Sequence, residues 1–263
     1  MRMGVNISAN RKDRIRALLK GIETGDPASV AVVNEAKYIQ DNPQTQEGSE
    51  GLAALLKRLS MTNPRVNIVR AFAGGDYVFG HTEYAFATRR IGFEVFRFEG
   101  DFAVEHWDNI RPRRGPNRSG HSMVDGPTEA TDLDLTESNR ALARSFVEQV
   151  LIDRRFDGLA NYIEPEEIIQ HNPAMADGIP PLQATLEARS EKSETGFAIH
   201  YERTHRVLAE GSFVLCVSEG TREGAHSSFY DLFGISNGKI VQHWDTVEAI
   251  PPRSDWKNDN GKF

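Results

Sequence analysis

The sequence contains a single cysteine, Cys216, and this scarcity excludes an internal disulfide and a metal site built from several cysteines. It also lacks long apolar runs, since no stretch approaches the roughly 18 residues that a membrane helix needs. The first residues have no apolar segment of the kind found in secretion signals. We therefore expect a cytoplasmic protein that has no membrane partner.

Positive charge is in deficit, because 31 Lys and Arg stand against 38 Asp and Glu, for a formal net charge of -7. An acidic chain lacks the cationic surface that neutralises phosphates, so nucleic acid is not an expected partner. The motifs of dinucleotide-binding proteins, P-loop proteins, serine hydrolases and zinc peptidases are also absent from the sequence. We expect no cofactor and no metal, and a small molecule is the expected partner.

What the sequence does contain is a duplication. Tyr38–Pro43 (YIQDNP) returns in the second half as Ile168–Pro173 (IIQHNP), and Phe102–Asp108 (FAVEHWD) returns as Lys239–Asp245 (KIVQHWD). The matches occur in the same order in both halves. The repeated unit spans about half of the chain, whereas solenoid repeats are only about 20–50 residues long. It therefore predicts two copies of one domain.

Both copies show the same order of elements, with helices first and strands last. Apolar residues at helical spacing predict helices through Ile15–Ile22 and Leu142–Val150, and the later part of each copy has β-branched and aromatic runs broken by glycine. This order predicts an α+β fold of two tandem cone-shaped domains, each with N-terminal helices packed on a curved antiparallel sheet. We place the domains at 1–112 and 135–263, joined by a linker at 113–134 that is either flexible or packed as a strap.

The last strand of the second copy presents imidazole and carboxyl groups on one face. Because side chains alternate along a strand, His243 and Asp245 share a face, and the preceding strand adds Asp231. We call this predicted apolar, acidic hollow the second cup. The corresponding residues of the first copy define the first cup: Glu94, His106 and Asp108.

Paired carboxyls of this kind are candidates for general acid–base catalysis. Burial and a like-charged neighbour both raise a carboxyl pKa, which can make one of the pair a usable base near neutral pH. The alternative is that these carboxyls lie at the strand rim and hydrogen-bond the backbone. His171 is a further candidate for polarising a carbonyl, against the alternative of an ordinary turn histidine. The residues expected to contact substrate are His81, Phe93, Glu94, Tyr230 and Phe233.

The two strand tryptophans, Trp107 and Trp244, alternate with these groups and are predicted to point away from the cups. We expect them to bury the outer face of each sheet against the other sheet, which would make the chain an intramolecular pseudo-dimer. A further homo-oligomer is left open by the sequence.

These motifs resemble those of one known group of proteins. IIQHNP (Ile168–Pro173), YDLFGISNGKIVQHWD (Tyr230–Asp245) and NDNGKF (Asn258–Phe263) look like the SnoaL-like polyketide cyclases of the nuclear transport factor 2-like fold. The match is closest to the tandem-domain subgroup described as predicted SnoaL-like aldol condensation-catalysing enzymes. The resemblance implies that an aspartate of the last strands is the acid and base of an aldol ring closure without metal or nucleotide. By motif this is Asp245, with Asp108 as its counterpart.

Three functions remain open at this stage. The leading one is an acid–base lyase or isomerase for a small apolar carbonyl compound, in which Asp245 moves the proton and Asp231 tunes it. His171 or His243 would polarise the oxygen. The second is hydration of an epoxide by the same acidic cup, and the third is a ligand-binding or interaction module without catalysis. Because Asp41 stands where the second copy has His171, the copies are unequal, and the second cup is the better candidate.

Overall fold

The structure is a computed structural model that describes the chain except residues 1–6, 166–167 and 189–197. Its described part contains helices and two five-stranded sheets, which confirms the predicted α+β class. None of the described helices combines the length and the apolar character that a membrane crossing requires. The chain divides into two compact units, and each is described separately below.

The division into units differs from the predicted domains at two places. Unit 1 combines Met1–Pro112 with Pro251–Phe263, and unit 2 is Arg113–Ile250. The segment predicted as linker, 113–134, is therefore part of unit 2. The segment 251–263, predicted to close the second domain, is part of unit 1. The packing of the two sheets on each other stays a prediction.

In unit 1, helices α1 and α2 cover one face of a sheet. Ile15, Leu18 and Ile22 lie at helical spacing on α1 and are buried, because this stripe is the part of the helix that meets the sheet. The helices are α1 (Ile7–Thr24) and α2 (Gly48–Ser60), with a 3-10 helix at Pro27–Val32. The strands are β1 (Ile39–Gln40), β2 (Arg65–Gly74), β3 (Tyr77–Ala85), β4 (Arg89–Glu99) and β5 (Phe102–Pro112).

Unit 2 repeats this plan. Its helices are α3 (Thr136–Phe146), continued by a π-helical turn at Val147–Ile152, α4 (Leu159–Tyr162) and α5 (Ile179–Glu187). Short 3-10 helices lie at Leu133–Leu135 and Phe156–Gly158. Its strands are β6 (Ile169–Gln170), β7 (Ile199–Glu210), β8 (Phe213–Arg222), β9 (Ala225–Ser236) and β10 (Lys239–Ala249).

The sheets are not purely antiparallel, which corrects the prediction. Their strand orders are β1-β5-β4-β3-β2 and β6-β10-β9-β8-β7, and the two-residue strands β1 and β6 pair in parallel with the last long strand of their unit. The other pairs are antiparallel and follow the chain as a meander. Consequently the IQ dipeptide of each repeat lies beside the strand that carries the site residues.

The strand register brings the predicted carboxyls together. Asp231 lies directly opposite Asp245 across β9 and β10, and Glu94 lies opposite Asp108 across β4 and β5. A tight turn with positive φ at Asn237 and Gly238 joins β9 to β10, the pattern favoured by two-residue hairpin loops. The side chains of each pair therefore share a face, as alternation predicts.

Segment 113–126 packs on unit 2, so it is a strap and not a free linker. Asn117 Nδ2 donates to the carbonyl of Gln170 at 2.6 Å, and Met123 is buried. The indole of Trp244 donates to the carbonyl of Asp125 at 3.0 Å. The outward position predicted for Trp244 is therefore covered, at least in part, by a segment of the same unit.

The segment 251–263 docks on unit 1 through the same motif. Asn258 Nδ2 donates to the carbonyls of Asn42 and Thr45, at 2.8 and 2.9 Å. In each segment an asparagine is followed three residues later by a glycine of positive φ, Gly120 in the strap and Gly261 in the closing segment. We call this N-x-x-G motif the docking hook. It recurs in both segments, and each hook binds carbonyls of the repeated segment of its unit: Asn117 binds Gln170, and Asn260 within the second hook binds Gln40.

Candidate active site

A buried chain of hydrogen bonds crosses the second cup. His243 Nε2 lies 2.9 Å from Asp231 Oδ1, and His243 Nδ1 lies 2.8 Å from Gln170 Oε1. The Tyr201 hydroxyl donates to both oxygens of Asp231, at 3.2 and 3.1 Å. Both ring nitrogens of His243 face oxygen acceptors, so the geometry is that of an imidazolium that donates on both sides. The four side chains are buried.

Burial and neighbouring charges have opposite effects on the pKa values of the groups in this hydrogen-bond chain. Burial raises the pKa of Asp231, and the hydrogen bond from His243 offsets only part of that effect. Burial by itself would lower the pKa of His243, but the hydrogen bond and charge of Asp231, with the charge of Asp245, outweigh it and leave that pKa raised. The pair therefore retains a proton more readily than the same groups in an unfolded chain. Burial and the neighbouring carboxylates raise the pKa of Tyr201, which stays a donor.

Asp245 stands beside this chain with a different partner. Its Oδ2 accepts a hydrogen bond from Asn172 Nδ2 at 2.7 Å, and the side chain is buried. Asp231 is paired with His243, and Asp245, directly opposite Asp231 in the register, is the second carboxyl group of the second cup. A carboxylate in that position is able to accept a proton from a bound molecule.

A narrow cavity opens on these groups. Its volume is about 30 Å³. Its polar lining is Gln170, Asn172, Thr185, Tyr201, Asp231, His243 and Asp245. Its apolar lining includes Phe146, Ile168, Leu182 and Phe233. The cavity thus combines an apolar wall with polar groups.

Gln170 brings an unsatisfied donor to this cavity. Its Oε1 is used by His243, and its Nε2 is buried with no hydrogen-bond partner among the residues that the structure describes. Leaving a buried donor unpaired costs about 1–3 kcal/mol. An oxygen atom of a molecule in the cavity would remove that cost.

The first cup has the same framework. Glu94 accepts hydrogen bonds from the Tyr84 hydroxyl at 2.5 Å and from His106 Nε2 at 2.8 Å, and His106 Nδ1 lies 3.2 Å from Gln40 Oε1. Burial opposes the charge on His106, but the hydrogen bond and charge of Glu94 outweigh it and raise the His106 pKa. Asp108 accepts from Asn42 Nδ2 at 2.9 Å on both oxygens. The two units therefore share one site design.

Two substitutions make the first cup different. Tyr38 stands where unit 2 has Ile168, and its buried hydroxyl accepts from Gln40 Nε2 at 3.4 Å. The donor that is unpaired in unit 2 is thus paired in unit 1. In addition, the ammonium of Lys262 lies 3.4 Å from Asp108 Oδ1. Burial opposes the charge on Asp108, but Lys262 and His106 outweigh it and lower the Asp108 pKa.

The first cup also contains the one described cluster with metal-ligand geometry. Ligand atoms of Glu94, His106 and Asp108 lie within 4.8 Å of one another. Glu94 already binds Tyr84 and His106, and Asp108 binds Lys262, through the oxygens that a metal would need. We assign no metal to these residues.

The structure does not bring His171 into the second cup, which corrects its predicted role. On the two-residue strand β6 and just after it, alternation turns Gln170 inward and His171 outward. The ring of His171 stacks on Trp244 at 4.4 Å, and its Nδ1 lies 2.6 Å from Asp125 Oδ1. Its Nε2 lies 2.7 Å from Gln242 Oε1. His171 therefore binds the strap through Asp125 and does not border the cavity.

Three residues predicted to contact substrate also lie outside the cups. Tyr230 stands opposite Thr246, a position of the same parity as Trp244, and does not border the cavity. Phe93 and His81 are register partners whose rings stack at 4.5 Å on the face opposite Glu94. Phe233 does border the cavity. The other predicted site residues lie in the cups: Glu94, His106, Asp108, Asp231, His243 and Asp245.

The sequence did carry a signal for residues that were not predicted. Gln170 and Asn172 correspond to Gln40 and Asn42 in the repeated segment, and each pair makes the same kind of contact with the histidine and aspartate of its cup. Tyr201 is the equivalent on β7 of the phenol that Tyr84 supplies from β3. The repeat IQ-x-NP thus pointed to two polar site residues per unit.

We expect the pKa values of His243 and His171 to be shifted in opposite directions. Asp231 keeps His243 charged above the ordinary histidine pKa of 6.5, whereas burial lowers the pKa of His171. Because the His243 pKa is raised on folding, its contribution to stability is complete below 6.5 and is lost as the pH rises through the raised pKa. Histidine-selective NMR titration, assigned with His243→Asn and His171→Asn, measures both values. A His243 that titrates below His171 would contradict these environments.

Comparison with known proteins yields fold neighbours only. No protein-family model matches the chain, and no curated protein matches it. Among solved structures, a candidate ketosteroid isomerase from Kribbella flavida is 20% identical, covers 45% of this chain and 84% of its own, with a TM-score of 0.36. A candidate SnoaL-like polyketide cyclase from Jannaschia sp. CCS1 is 14% identical, covers 42% and 91%, with a TM-score of 0.36.

A third neighbour is an LEH-like epoxide hydrolase from M. tuberculosis, 18% identical, which covers 40% of this chain and 84% of its own, with a TM-score of 0.35. Each of the three matches spans less than half of this chain. At these identities the neighbours assign no activity to it. The chemistry has to come from the residues of the second cup.

Proposed function

We propose that the second cup is the active site of an acid–base enzyme for a small, largely apolar carbonyl compound, of the aldol condensation, cyclisation or isomerisation type. The observation that carries the proposal is one cavity bordered both by the carboxylate of Asp245 and by the unpaired donor Gln170 Nε2. One group accepts a proton and the other receives negative charge on oxygen. The apolar lining suits a substrate with little other polarity.

The proton transfer uses these groups in turn. Asp245 takes the proton from the carbon next to the carbonyl, and the electron pair moves to the carbonyl oxygen as an enolate. Gln170 Nε2 donates a hydrogen bond to that oxygen, as amide donors do in oxyanion holes. In a condensation or cyclisation the enolate carbon attacks a second carbonyl, and Asp245 gives the proton it holds to the alkoxide oxygen that forms. In an isomerisation Asp245 returns that proton to a different carbon of a conjugated enolate.

The charged pair of Asp231 and His243 supports this transfer without touching the substrate oxygen. Both nitrogens of His243 are engaged, one by Asp231 and one by Gln170. The imidazolium orients Gln170 Oε1 and thereby fixes where Nε2 points. His243 is therefore a positioning residue in this scheme, and not the group that polarises the carbonyl.

Hydration of an epoxide is the second candidate, because the same cavity brings the carboxyl of Asp245 and the amide of Gln170 together. In that reaction Asp245 would take a proton from water as the water oxygen attacks the ring carbon. The epoxide oxygen would accept a hydrogen bond from Gln170 and later the proton.

Isotope exchange separates these functions. A panel of small ketones and aldehydes in D2O is examined by NMR for enzyme-dependent exchange of the α-hydrogen, and a panel of epoxides in 18O-labelled water for labelled diol. Exchange on the carbonyl panel is the expected result, and labelled diol without exchange would favour hydration. Neither reaction, with melting temperatures raised by panel compounds, would overturn the enzyme and indicate a binding module.

A further inference from the structure

The first cup contains a cation supplied by the chain itself. The side chain of Lys262 is only 4% exposed, and its ammonium lies 3.4 Å from Asp108 Oδ1. Burying an ammonium is costly unless a negative partner compensates for the lost hydration. Asp108 is that partner, and Asn42 binds the same carboxylate. Asp108, held by Asn42, therefore forms a site in the first cup that binds a positively charged group.

The charges of the first cup show why a cation is needed there. Glu94 is paired with His106 at 2.8 Å, in the same way that Asp231 is paired with His243. Asp108 is left with the excess negative charge, and Lys262 neutralises it.

The docking hook delivers Lys262 to this position. Asn258 holds the carbonyls of Asn42 and Thr45, and Asn260 Nδ2 donates to the carbonyl of Gln40 at 3.1 Å and to Glu47. Gly261, with φ of 97°, then turns the chain before Lys262. These contacts attach segment 258–262 to the repeat segment that forms one side of the cup.

The hook of unit 2 does not deliver a cation in the same way. His121 follows Gly120 as Lys262 follows Gly261, but His121 Nε2 lies 3.1 Å from Asp177 and the side chain is 32% exposed. The second cup contains the cavity described above, and Lys262 occupies the first cup. The two hooks differ in the residue that follows the glycine and in the carbonyls that the hook asparagine binds.

We propose that the first cup is a binding site for a primary alkylammonium group, which Lys262 occupies as a ligand from its own chain. A primary ammonium offers three N–H donors in a small volume, and the buried side chain of Lys262 places its alkyl stem beside Asp108. Ligands of this class are small primary amines or the lysine side chain of another polypeptide. Occupation by Lys262 keeps such ligands out until the hook is released.

Chemical rescue tests the site in the full chain. Lys262→Ala removes the three stem carbons and the ammonium, and n-propylammonium chloride supplies the same atoms. We expect the melting temperature of Lys262→Ala to rise with millimolar n-propylammonium according to ligand mass action. The wild type and Lys257→Ala, which alters an exposed lysine of the same segment, are expected to show no such rise.

The controls distinguish a specific ammonium site from stabilisation by any molecule that fills the same volume and from a general effect of ionic strength. Propan-1-ol tests the apolar stem, tetramethylammonium tests a cation without N–H groups, and sodium chloride tests ionic strength. Rescue by n-propylammonium alone, and its loss in the double variant Lys262→Ala/Asp108→Asn, supports the proposal. Equal rescue by propan-1-ol, or by n-propylammonium in the double variant, overturns it.

The test also works if Lys262→Ala leaves unit 1 unfolded. Near-ultraviolet circular dichroism then reports whether n-propylammonium restores tertiary structure. Recovery supports an ammonium site that is coupled to folding. A variant that stays unfolded with n-propylammonium, or a folded variant whose melting temperature does not respond, overturns the proposal.

Discussion

We expect Asp245→Asn to lower the rate of α-proton exchange by about 10²- to 10⁴-fold, the range that one positioned acid–base group contributes. The amide keeps the shape of the side chain and its place beside Asn172, but it cannot take the proton from carbon. Exchange measured at saturating carbonyl compound gives the effect on the transfer itself, and its concentration dependence gives the effect on binding. The loss is expected in the saturated rate.

Glu248→Gln is the matched control for this variant. It removes the same unit of charge from β10 at a residue that does not border the cavity, so wild-type exchange is expected. Thermal unfolding of both variants verifies that the fold is kept. Wild-type exchange in a folded Asp245→Asn protein would remove Asp245 from the mechanism.

Ile168→Tyr is expected to close the second cup. The first unit carries Tyr38 at this position of the repeat, where the hydroxyl meets the glutamine amide at 3.4 Å. In unit 2 a tyrosine would occupy the narrow cavity and give Gln170 Nε2 a partner. We expect exchange and ligand-induced stabilisation to be lost, while the free energy of unfolding stays the same or rises by about 1 kcal/mol, the net value of one hydrogen bond.

Calorimetry with panel compounds measures the loss of ligand-induced stabilisation in this variant, and denaturant unfolding measures its free energy of unfolding. Ile168→Leu, which keeps the volume of the side chain, is expected to show a much smaller drop in exchange. An Ile168→Tyr variant that exchanges at the wild-type rate would contradict the location of the site. A loss of more than about 1–3 kcal/mol would show that the cavity cannot hold the ring.

Strand alternation predicted more of the site than any motif did. It placed His243 and Asp245 on one face with Asp231, because one long hairpin fixes the register of every residue in it. The same rule, applied consistently, assigns Tyr230 and Phe93 to the opposite face, where the structure has them. Tyr230 and Phe93 were therefore predicted as substrate contacts on a face that the register turns away from the cups.

Other features had no sequence pattern strong enough to predict them. The strands β1 and β6 have two residues each, too few for a period, and so His171 could not be distinguished from Gln170 as the inward side chain. The docking hook binds backbone carbonyls, which no side-chain pattern reveals. The assignment of 251–263 to unit 1 also joins residues that lie far apart in the sequence. The sequence did show the glutamine and the asparagine that recur in both copies of the IQ-x-NP segment.

The discontinuous course of unit 1 has a consequence for biosynthesis. Its sheet leaves the ribosome early, but Asn258 and Lys262 emerge only after the whole of unit 2. At about 5–20 residues per second, a nascent chain spends roughly eight to thirty seconds with Asp108 lacking its cation. During that interval the first half of the protein is exposed to cellular amines and chaperones in a form that the finished molecule does not present.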